Sequence, residues 1–422
     1  MKIEKISIVG VGYVGLTLAA VLAERGFLVC GIDINEQLIK QLNNCEPHFH
    51  EKGLRLLLKK TIGRNLFFQK NIPEKQDVFV ICTGTPLNTE KKPILDYIKN
   101  SVEQIVPYIQ GENLIVLRST VPIGTTRNVI KPILDKSGKM YRLAFCPERT
   151  VEGKALEELR ELPQIIGGLD EESVDMAFDL FKKVTNTTIK MSSLEAAEMV
   201  KLLCNSYRDM TFAYANEVAL ICEKMKLDPF ELIKSSNIGY ERSKIPLPGF
   251  VGGSCLEKDP YILADCIEKT GYSAKMIATS REINESIAPY VIEKIKRMVS
   301  KEGKVFVSGI AFKGKPDTDD LRGSVAVKVI EELEKQGYNN IYVHDFVVQK
   351  EKVGDMRFVE LEEGFRDAEC VLIGNNHDKY SYIEIDSYLK LMKPNSLFLD
   401  VWNIFSQKQI NENGRVYAGI GK

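Results

Sequence analysis

Charge of one sign is what this 422-residue chain lacks: 57 Lys and Arg stand against 58 Asp and Glu, for a formal net charge of −1. A protein whose main partner is a polyanion carries a basic excess, so nucleic acid is not expected as that partner. A small phosphorylated ligand stays open, because a backbone loop can hold one with few formal charges. Histidine is scarce too, at four residues. His48 and His50 flank Phe49 with no third ligand type nearby, which reads as a polar loop, and no metal is expected. Long apolar runs are absent. The longest uncharged one, Ile8 to Ala23, has 16 residues, short of the ~20 that cross a bilayer. Its three glycines also argue against a secretory leader, so no membrane association is expected. The nine cysteines (30, 45, 82, 146, 204, 222, 255, 266, 370) include no CxxC and are odd in number. A disulfide framework is not expected, and a reducing cytoplasm is the expected location. What remains, 44% hydrophobic and 27% charged residues, describes an ordinary globular protein long enough for two or three domains.

Glycine, by contrast, is concentrated where it matters. Residues 3–9 read as a buried strand, followed at once by Gly10-Val11-Gly12-Tyr13-Val14-Gly15. An apolar helix follows to about Gly26, then a strand from Leu28 to Ile32 that ends in Asp33, 18 residues after Gly15. In this strand–turn–helix context Gly10 permits the tight turn, Gly12 lets backbone approach a pyrophosphate, and Gly15 permits close helix–strand packing. Asp33 can accept both ribose hydroxyls of NAD and would repel the extra phosphate of NADP. No Arg immediately follows it, so NAD is the expected cofactor. Further strands are expected at 77–82, 113–118 and 141–145. They end in Thr83-Gly84-Thr85-Pro86, Ser119-Thr120-Val121-Pro122 and Cys146-Pro147-Glu148-Arg149. In open α/β sheets ligands bind outside the carboxyl ends of strands, so these segments should border the cofactor and the substrate.

The middle of the chain reads as helical. Ser192 to Glu195 has capping-box spacing, and a run without Gly or Pro continues to about Leu227. A helix of this length often spans two domains or forms a dimer seam. Lys201 and Asn205, four apart, share one face, and Arg208 continues the stripe. The apolar Met199, Val200, Leu202 and Leu203 around them suggest burial on several sides, and a buried Lys needs a partner or a chemical task. The segment from Pro246 to Pro260 (PLPGFVGGSCLEKDP) is a glycine- and proline-rich loop with close backbone approach. It sets Cys255 near the start of a helix expected from Pro260 to Lys269. There the helix field and Lys258 would favour a thiolate nucleophile.

In the last third, strands at 304–309, 341–344, 370–374 and 397–401 alternate with a helix at 324–336, suggesting a second doubly wound sheet without GxGxxG. Ala311-Phe312-Lys313-Gly314 and Asp320-Leu321-Arg322 put cations at a strand end, where they could meet a diphosphate. The expected fold class is α/β: two doubly wound Rossmann-like domains joined by a helical central domain with one long helix. The expected divisions are an NAD-binding domain at 1–190, a helical and dimerising domain at 191–299, and a C-terminal α/β domain at 300–422, where a diphosphate could bind.

Taken together, Gly10 to Gly15, Ser119 to Pro122, Pro147-Glu148-Arg149, Lys201 with Asn205, Gly252-Gly253-Ser254-Cys255 and Ala311-Phe312-Lys313 resemble the nucleotide-sugar 6-dehydrogenases over nearly the whole chain. The resemblance implies oxidation of a sugar C6 alcohol to a carboxylate with reduction of two NAD, and a precursor role in surface polysaccharide synthesis. It implies that Cys255 forms a thiohemiacetal and then a thioester. Lys201 and Asn205 would stabilise developing oxygen charge, Glu148 would be the acid/base for thioester hydrolysis, and Thr120 and Asp259 would hold a water or assist the base. Gly10, Gly12, Tyr13, Val14, Gly15, Asp33, Thr83, Thr85, Ser119, Thr120, Glu152, Lys258 and Arg322 form the implied NAD set. The implied UDP-sugar set is Glu148, Arg149, Lys201, Asn205, Arg208, Phe250, Gly252, Phe312 and Lys313. A homodimer or higher homo-oligomer is implied as well.

The substrate branch is divided. Cys146 to Arg149, Asn205 to Asp209 and Arg281 to Asn284 are similar to the N-acetylhexosamine enzymes. Ser254, Lys258 and Glu152 are closer to the UDP-glucose or GDP-mannose enzymes. UDP-N-acetylmannosamine is favoured, because more of the chain supports it. Two rivals from other classes are a two-electron β-hydroxyacid dehydrogenase, which leaves Cys255 and the third domain unexplained, and a non-catalytic nucleotide-sugar sensor.

Overall fold

The computed structural model describes residues 3–422. Backbone contacts divide them into two compact units. One holds the described residues through Cys204 together with Tyr261–Ser273, and the other holds Asn205–Pro260 with Ala274–Lys422.

The first unit is built on strands β1 (Lys5–Val9), β2 (Leu28–Ile32), β3 (Leu66–Gln69), β4 (Val78–Ile81), β5 (Asn113–Leu117), β6 (Tyr141–Phe145), β7 (Gln164–Gly168) and β8 (Thr188–Lys190). They form one sheet in the order β3-β2-β1-β4-β5-β6-β7-β8. All pairings are parallel except β6 with β7. The apolar runs explain this. Every residue of β4 (VFVI) and β5 (NLIVL) is buried, as in a parallel sheet covered on both faces. Alternate side chains feed opposite layers: Val78, Val80, Leu114 and Val116 join one core with the Tyr13–Glu24 helix, and Phe79, Ile81, Ile115 and Leu117 join the other.

The second unit carries β9 (Val305–Ser308), β10 (Ile341–His344), β11 (Arg357–Phe358), β12 (Cys370–Ile373), β13 (Leu397–Asp400) and β14 (Val416–Gly419). Their order, β11-β10-β9-β12-β13-β14, repeats the order of the first six strands, and every pairing is parallel. The repetition extends to one turn. Gly10 (φ +89°) donates its N–H to the Ile32 carbonyl at 2.8 Å, and the Val11 N–H reaches Asp33 Oδ2 at 3.1 Å. Gly309 (φ +90°) donates to the His344 carbonyl at 2.8 Å, and the Ala311 N–H reaches Asp345 Oδ2 at 3.0 Å. What recurs is a glycine in the left-handed region and an acid that ties down the turn, which is too little sequence to register as a repeat.

No strand among the described residues lies between Lys190 and Val305; that stretch holds helices and the loop that carries Cys255. Its Leu194–Met225 helix has 32 residues, and Lys201 belongs to the first unit while Asn205 opens the second. Three local expectations are corrected. The cap is Ser193, not Ser192: its Oγ accepts the Ala196 N–H at 3.1 Å. Glu195 turns instead to Arg127 Nε at 2.6 Å. Leu203 is not buried but 53% exposed, and Arg208 is exposed as well. Leu203, Tyr207, Tyr214, Ile221 and Met225 are all exposed, at spacings of four and seven that keep them on one helix face. No helix among the described residues is long and apolar enough to cross a membrane.

Candidate functional site

Because β2, β1, β4, β5 and β6 are parallel neighbours, the loops that leave their carboxyl ends line one edge of the first sheet. Those loops carry Gly10 to Gly15, Asp33, Thr83 to Thr85, Ser119 with Thr120, and Glu148 with Arg149. The three glycines separate by what an added Cβ would meet. At Gly15 it would lie 1.9 Å from the Gly10 carbonyl oxygen, and at Gly10 3.0 Å from Thr83. At Gly12 it would meet nothing within 4 Å. Gly15 and Gly10 therefore serve packing, while Gly12 fronts open space at the head of the Tyr13–Glu24 helix. No side chain caps that helix, so its first N–H groups point outward. Asp33 Oδ1 accepts the Asn35 N–H at 3.0 Å, and its Oδ2 accepts that of Val11. Tyr13 packs on Phe49 with ring centroids 4.5 Å apart, and its hydroxyl donates to the buried Glu51 carboxylate. Burial and then Glu51 push the Tyr13 phenol well above its ordinary value, so it stays a donor. Glu51 also accepts the Gly153 N–H at 2.9 Å, tying the turn to the segment that carries Glu152.

Glu148 is buried at the sheet edge. Its Oε1 accepts the N–H groups of Arg149 and Thr150 at 2.7 and 2.8 Å, and its Oε2 accepts Arg118 Nη2 at 2.5 Å. Burial pushes this carboxyl up, but Arg118, the Thr150 N–H and Lys201 together outweigh burial, so it is held below its ordinary value. Lys201 is itself buried, as is Ser119, whose Oγ donates to the Ile81 carbonyl at 3.3 Å. The Arg149 side chain is turned to the Pro163 carbonyl.

In the second unit Cys255 is the exposed member of nine free cysteines. Its loop is stitched down by glycine. A Cβ on Gly252 would lie 2.1 Å from the Gly323 carbonyl oxygen, and one on Gly253 (φ +93°) 2.6 Å from the Phe312 ring. The helix beyond begins at Asp259. Cys255 precedes it by one turn, and its carbonyl accepts the Asp259 N–H at 2.9 Å. The Asp259 carboxylate, wholly buried, joins two partners: Lys258 Nζ at 2.6 Å and Asn205 Nδ2 at 2.5 Å. One amide hydrogen of Asn205 is thus committed and the other is free to face an oxygen. Burial pushes the Lys258 ammonium down, but Asp259 and then Cys255 outweigh it, and it is held above its ordinary value. Beneath the loop, Asn216 accepts the Gly249 N–H at 2.9 Å and donates to Asn284 at 3.0 Å. Asn284 reaches Asp209 at 2.9 Å, and Arg281 bonds Asp209 at 2.5 Å and the Leu256 carbonyl at 3.3 Å. Phe250 is buried beside Gly249, and the exposed Arg322 forks onto Asp320. Lys313 Nζ lies 5.4 Å from the Phe312 ring centre.

Three family models match in order: the NAD binding domain at residues 4–185, the central domain at 195–286 and the UDP binding domain at 306–407, all of the UDP-glucose/GDP-mannose dehydrogenase family. The chain belongs to that family. It is 37% identical to the UDP-N-acetyl-D-mannosamine dehydrogenase of Methanocaldococcus jannaschii, over 99% of this chain and 97% of that one. Among solved structures it resembles the UDP-D-ManNAc dehydrogenase of Pyrococcus horikoshii (TM-score 0.90, 29% identity, 99% of each chain). It also resembles a UDP-glucose dehydrogenase of Pyrobaculum islandicum (TM-score 0.88, 26% identity, 100% of this chain and 98% of that one).

As an NAD-dependent nucleotide-sugar dehydrogenase, the protein has residues that fit the cofactor. Gly12 leaves a cradle at a helix N-terminus, and Thr85 Oγ1 is buried without a hydrogen-bond partner among the described residues. The dehydrogenase's expected site residues group by unit. The dinucleotide residues through Glu152, with Glu148, Arg149 and Lys201, belong to the first. Asn205, Arg208, Phe250, Gly252, Cys255, Lys258, Asp259, Phe312, Lys313 and Arg322 belong to the second. Arg118, Glu51 and Asn216 escaped the sequence reading, and Asp209 entered it only as the end of the Asn205 to Asp209 segment. Glu51 and Asn216 lie outside any glycine-rich or motif context, while Arg118, a lone charge at the end of an apolar strand just before Ser119, could have been marked. Among the described residues no group of His, Cys, Asp and Glu could hold a metal.

Proposed function

We propose that this dehydrogenase oxidises the C6 alcohol of a UDP-N-acetylhexosamine, UDP-N-acetylmannosamine first, to the uronate in two steps. The observation that carries the proposal is Cys255: the exposed thiol among nine, on a glycine-stitched loop one turn ahead of Asp259, whose carboxylate bonds Lys258 and Asn205. When bound, NAD supplies the hydride acceptor for each oxidation. In the first, the hydroxyl proton passes to a base and the aldehyde forms. The Cys255 sulfur adds to the aldehyde carbon, and the second oxidation converts the thiohemiacetal to a thioester. Water then adds, the C–S bond breaks, and the thiol and the carboxylate are released. The covalent bond keeps a reactive aldehyde from escaping. Lys201 and Asn205 are donors for the developing oxygen charge. Glu148 serves the hydrolytic step, and Thr120 and Asp259 hold a water or assist the base. Ser119, Thr83, Thr85, Asp33, Glu152 and Arg322 serve NAD, while Phe250, Phe312, Lys313, Arg149 and Arg208 serve the UDP-sugar.

The names of the similar M. jannaschii and P. horikoshii proteins support the N-acetylhexosamine. Ser254, Lys258 and Glu152 favour UDP-glucose or GDP-mannose as the second reading. The matched ranges support a three-part division at 1–190, 191–299 and 300–422. The exposed apolar stripe on the long helix supports a homodimer, and the free cysteines support a cytoplasmic setting, with the uronate serving surface polysaccharide precursors. An NADH assay across UDP-N-acetylmannosamine, UDP-N-acetylglucosamine, UDP-glucose and GDP-mannose tests the reading. Two NADH per UDP-N-acetylmannosamine is the expected result. One NADH with free aldehyde product would overturn the four-electron mechanism, and turnover only with UDP-glucose would overturn the substrate.

A further inference from the structure

Arg118 directly follows β5 and is 2% exposed. Its Nη1 donates to the Cys146 carbonyl at 3.0 Å and to Gln164 Oε1 at 2.9 Å, and its Nη2 donates to Glu148 Oε2 at 2.5 Å. The Phe181 ring lies 5.3 Å below the guanidinium. The cation is therefore anchored at the ends of β6 and β7 as well as to the carboxylate, and cannot swing away. With the Arg149 and Thr150 N–H groups on Oε1, Glu148 has three donors. A carboxylate offers about four acceptor sites, so one is left.

We propose that Arg118 is a positioning residue for the hydrolytic step, holding Glu148 as a fixed carboxylate whose one open acceptor site orients the attacking water rather than storing its proton. This rests on the assignment of Glu148 to hydrolysis above. A good general base has an affinity for protons matched to the working pH, and a carboxylate clamped by a buried guanidinium is too weak for that. The proton budget closes without it. As water adds to the thioester carbon and the C–S bond breaks, one water proton passes to the departing Cys255 sulfur. The new carboxylic acid then loses the other to solvent.

The test compares wild type, Arg118→Lys, Arg118→Gln and Glu148→Gln with UDP-N-acetylmannosamine and NAD, thermal unfolding confirming that each variant is folded. Glu148 is read directly by carbon-13 NMR of glutamate labelled at its carboxyl carbon, its signal assigned by its loss in Glu148→Gln. In Arg118→Gln the expected midpoint is higher than in wild type by a pH unit or more. The acid limb of kcat should move with it, a twofold loss at the pH of the new midpoint and about a tenfold loss one unit below it relative to pH 8, with KM for the sugar unchanged. Glu148→Gln should accumulate the acylated Cys255 by intact mass. A folded Arg118→Gln with the wild-type midpoint and acid limb, beside an inactive Glu148→Gln, would overturn the role of Arg118 alone. Wild-type kcat in Glu148→Gln would remove Glu148 from hydrolysis and the proposal with it.

Discussion

At the scale of single residues, the site depends on which atoms are left open. Cys255 Sγ lies 4.0 Å from Ser254 Oγ and is otherwise exposed, so replacing sulfur by oxygen changes reactivity and little else. Cys255→Ser is expected to bind NAD as wild type does, by fluorescence titration, while turnover falls by orders of magnitude. Normal turnover would remove the thiol from the mechanism. The glycines make a sharper comparison. Gly12→Ala adds a methyl to open space, so the melting temperature should stay within a degree or two while NAD affinity drops at least tenfold. Gly15→Ala drives its methyl to 1.9 Å from a carbonyl oxygen, and should melt far lower or fail to fold. Equal effects of the two on stability would refute the division of labour.

At the scale of elements, buried polar residues hold functional loops to helices. Glu198 on the long helix, 1% exposed, accepts the Gly124 N–H at 2.5 Å, the Thr126 N–H at 2.8 Å and the Thr126 hydroxyl at 2.6 Å. It thereby fixes the segment that follows Ser119 and Thr120, one turn from Lys201 on the same helix. Burial pushes this carboxyl up from 4.5 to about 7, against the opposing pull of its hydrogen bonds. A folded value above the ordinary one means a contribution to stability complete below pH 4.5 and lost as the pH rises through about 7. The loss amounts to roughly 3 kcal/mol at 1.36 kcal/mol per pH unit. Urea unfolding of Glu198→Gln should therefore depend less steeply on pH between those values than wild type. Parallel slopes would show that Glu198 does not titrate there. The Asp209–Arg281–Asn284–Asn216 network does the same for the cysteine loop.

For the whole molecule, two sheets of one strand order carry different tasks because of what caps their first turn. Asp33 takes one backbone N–H on each oxygen. Asp345 takes Ala311 and Asn375 on Oδ2 and Val347 and Val348 on Oδ1, which fills it. A ribose finds open acceptor sites on the first acid only. The apolar stripe through Leu203, Tyr214 and Ile221 is the feature that asks for a second chain, since exposed rows of this kind are costly in water. Light scattering should give twice the chain mass for wild type and the single mass for Tyr214→Glu/Ile221→Glu. A monomeric wild type would refute the dimer.

Local patterns in the chain determined the parallel sheets, the dinucleotide turn, the long helix and the loop that carries Cys255, because spacing, apolar runs and glycine act over a few residues. Even there the details shifted where partners intervened: Ser193 replaced Ser192 as cap once Glu195 found Arg127, and Leu203 faced outward although its neighbours are apolar. Only the tertiary structure decided the charges of the site. Arg118 meets Glu148 across 30 residues, Asn205 meets Asp259 across 54, and Glu198 meets Thr126 across 72. Such pairings follow from how strands and helices stack, and burial then sets how strongly each charge is held, a quantity that depends on surroundings rather than on neighbours in sequence.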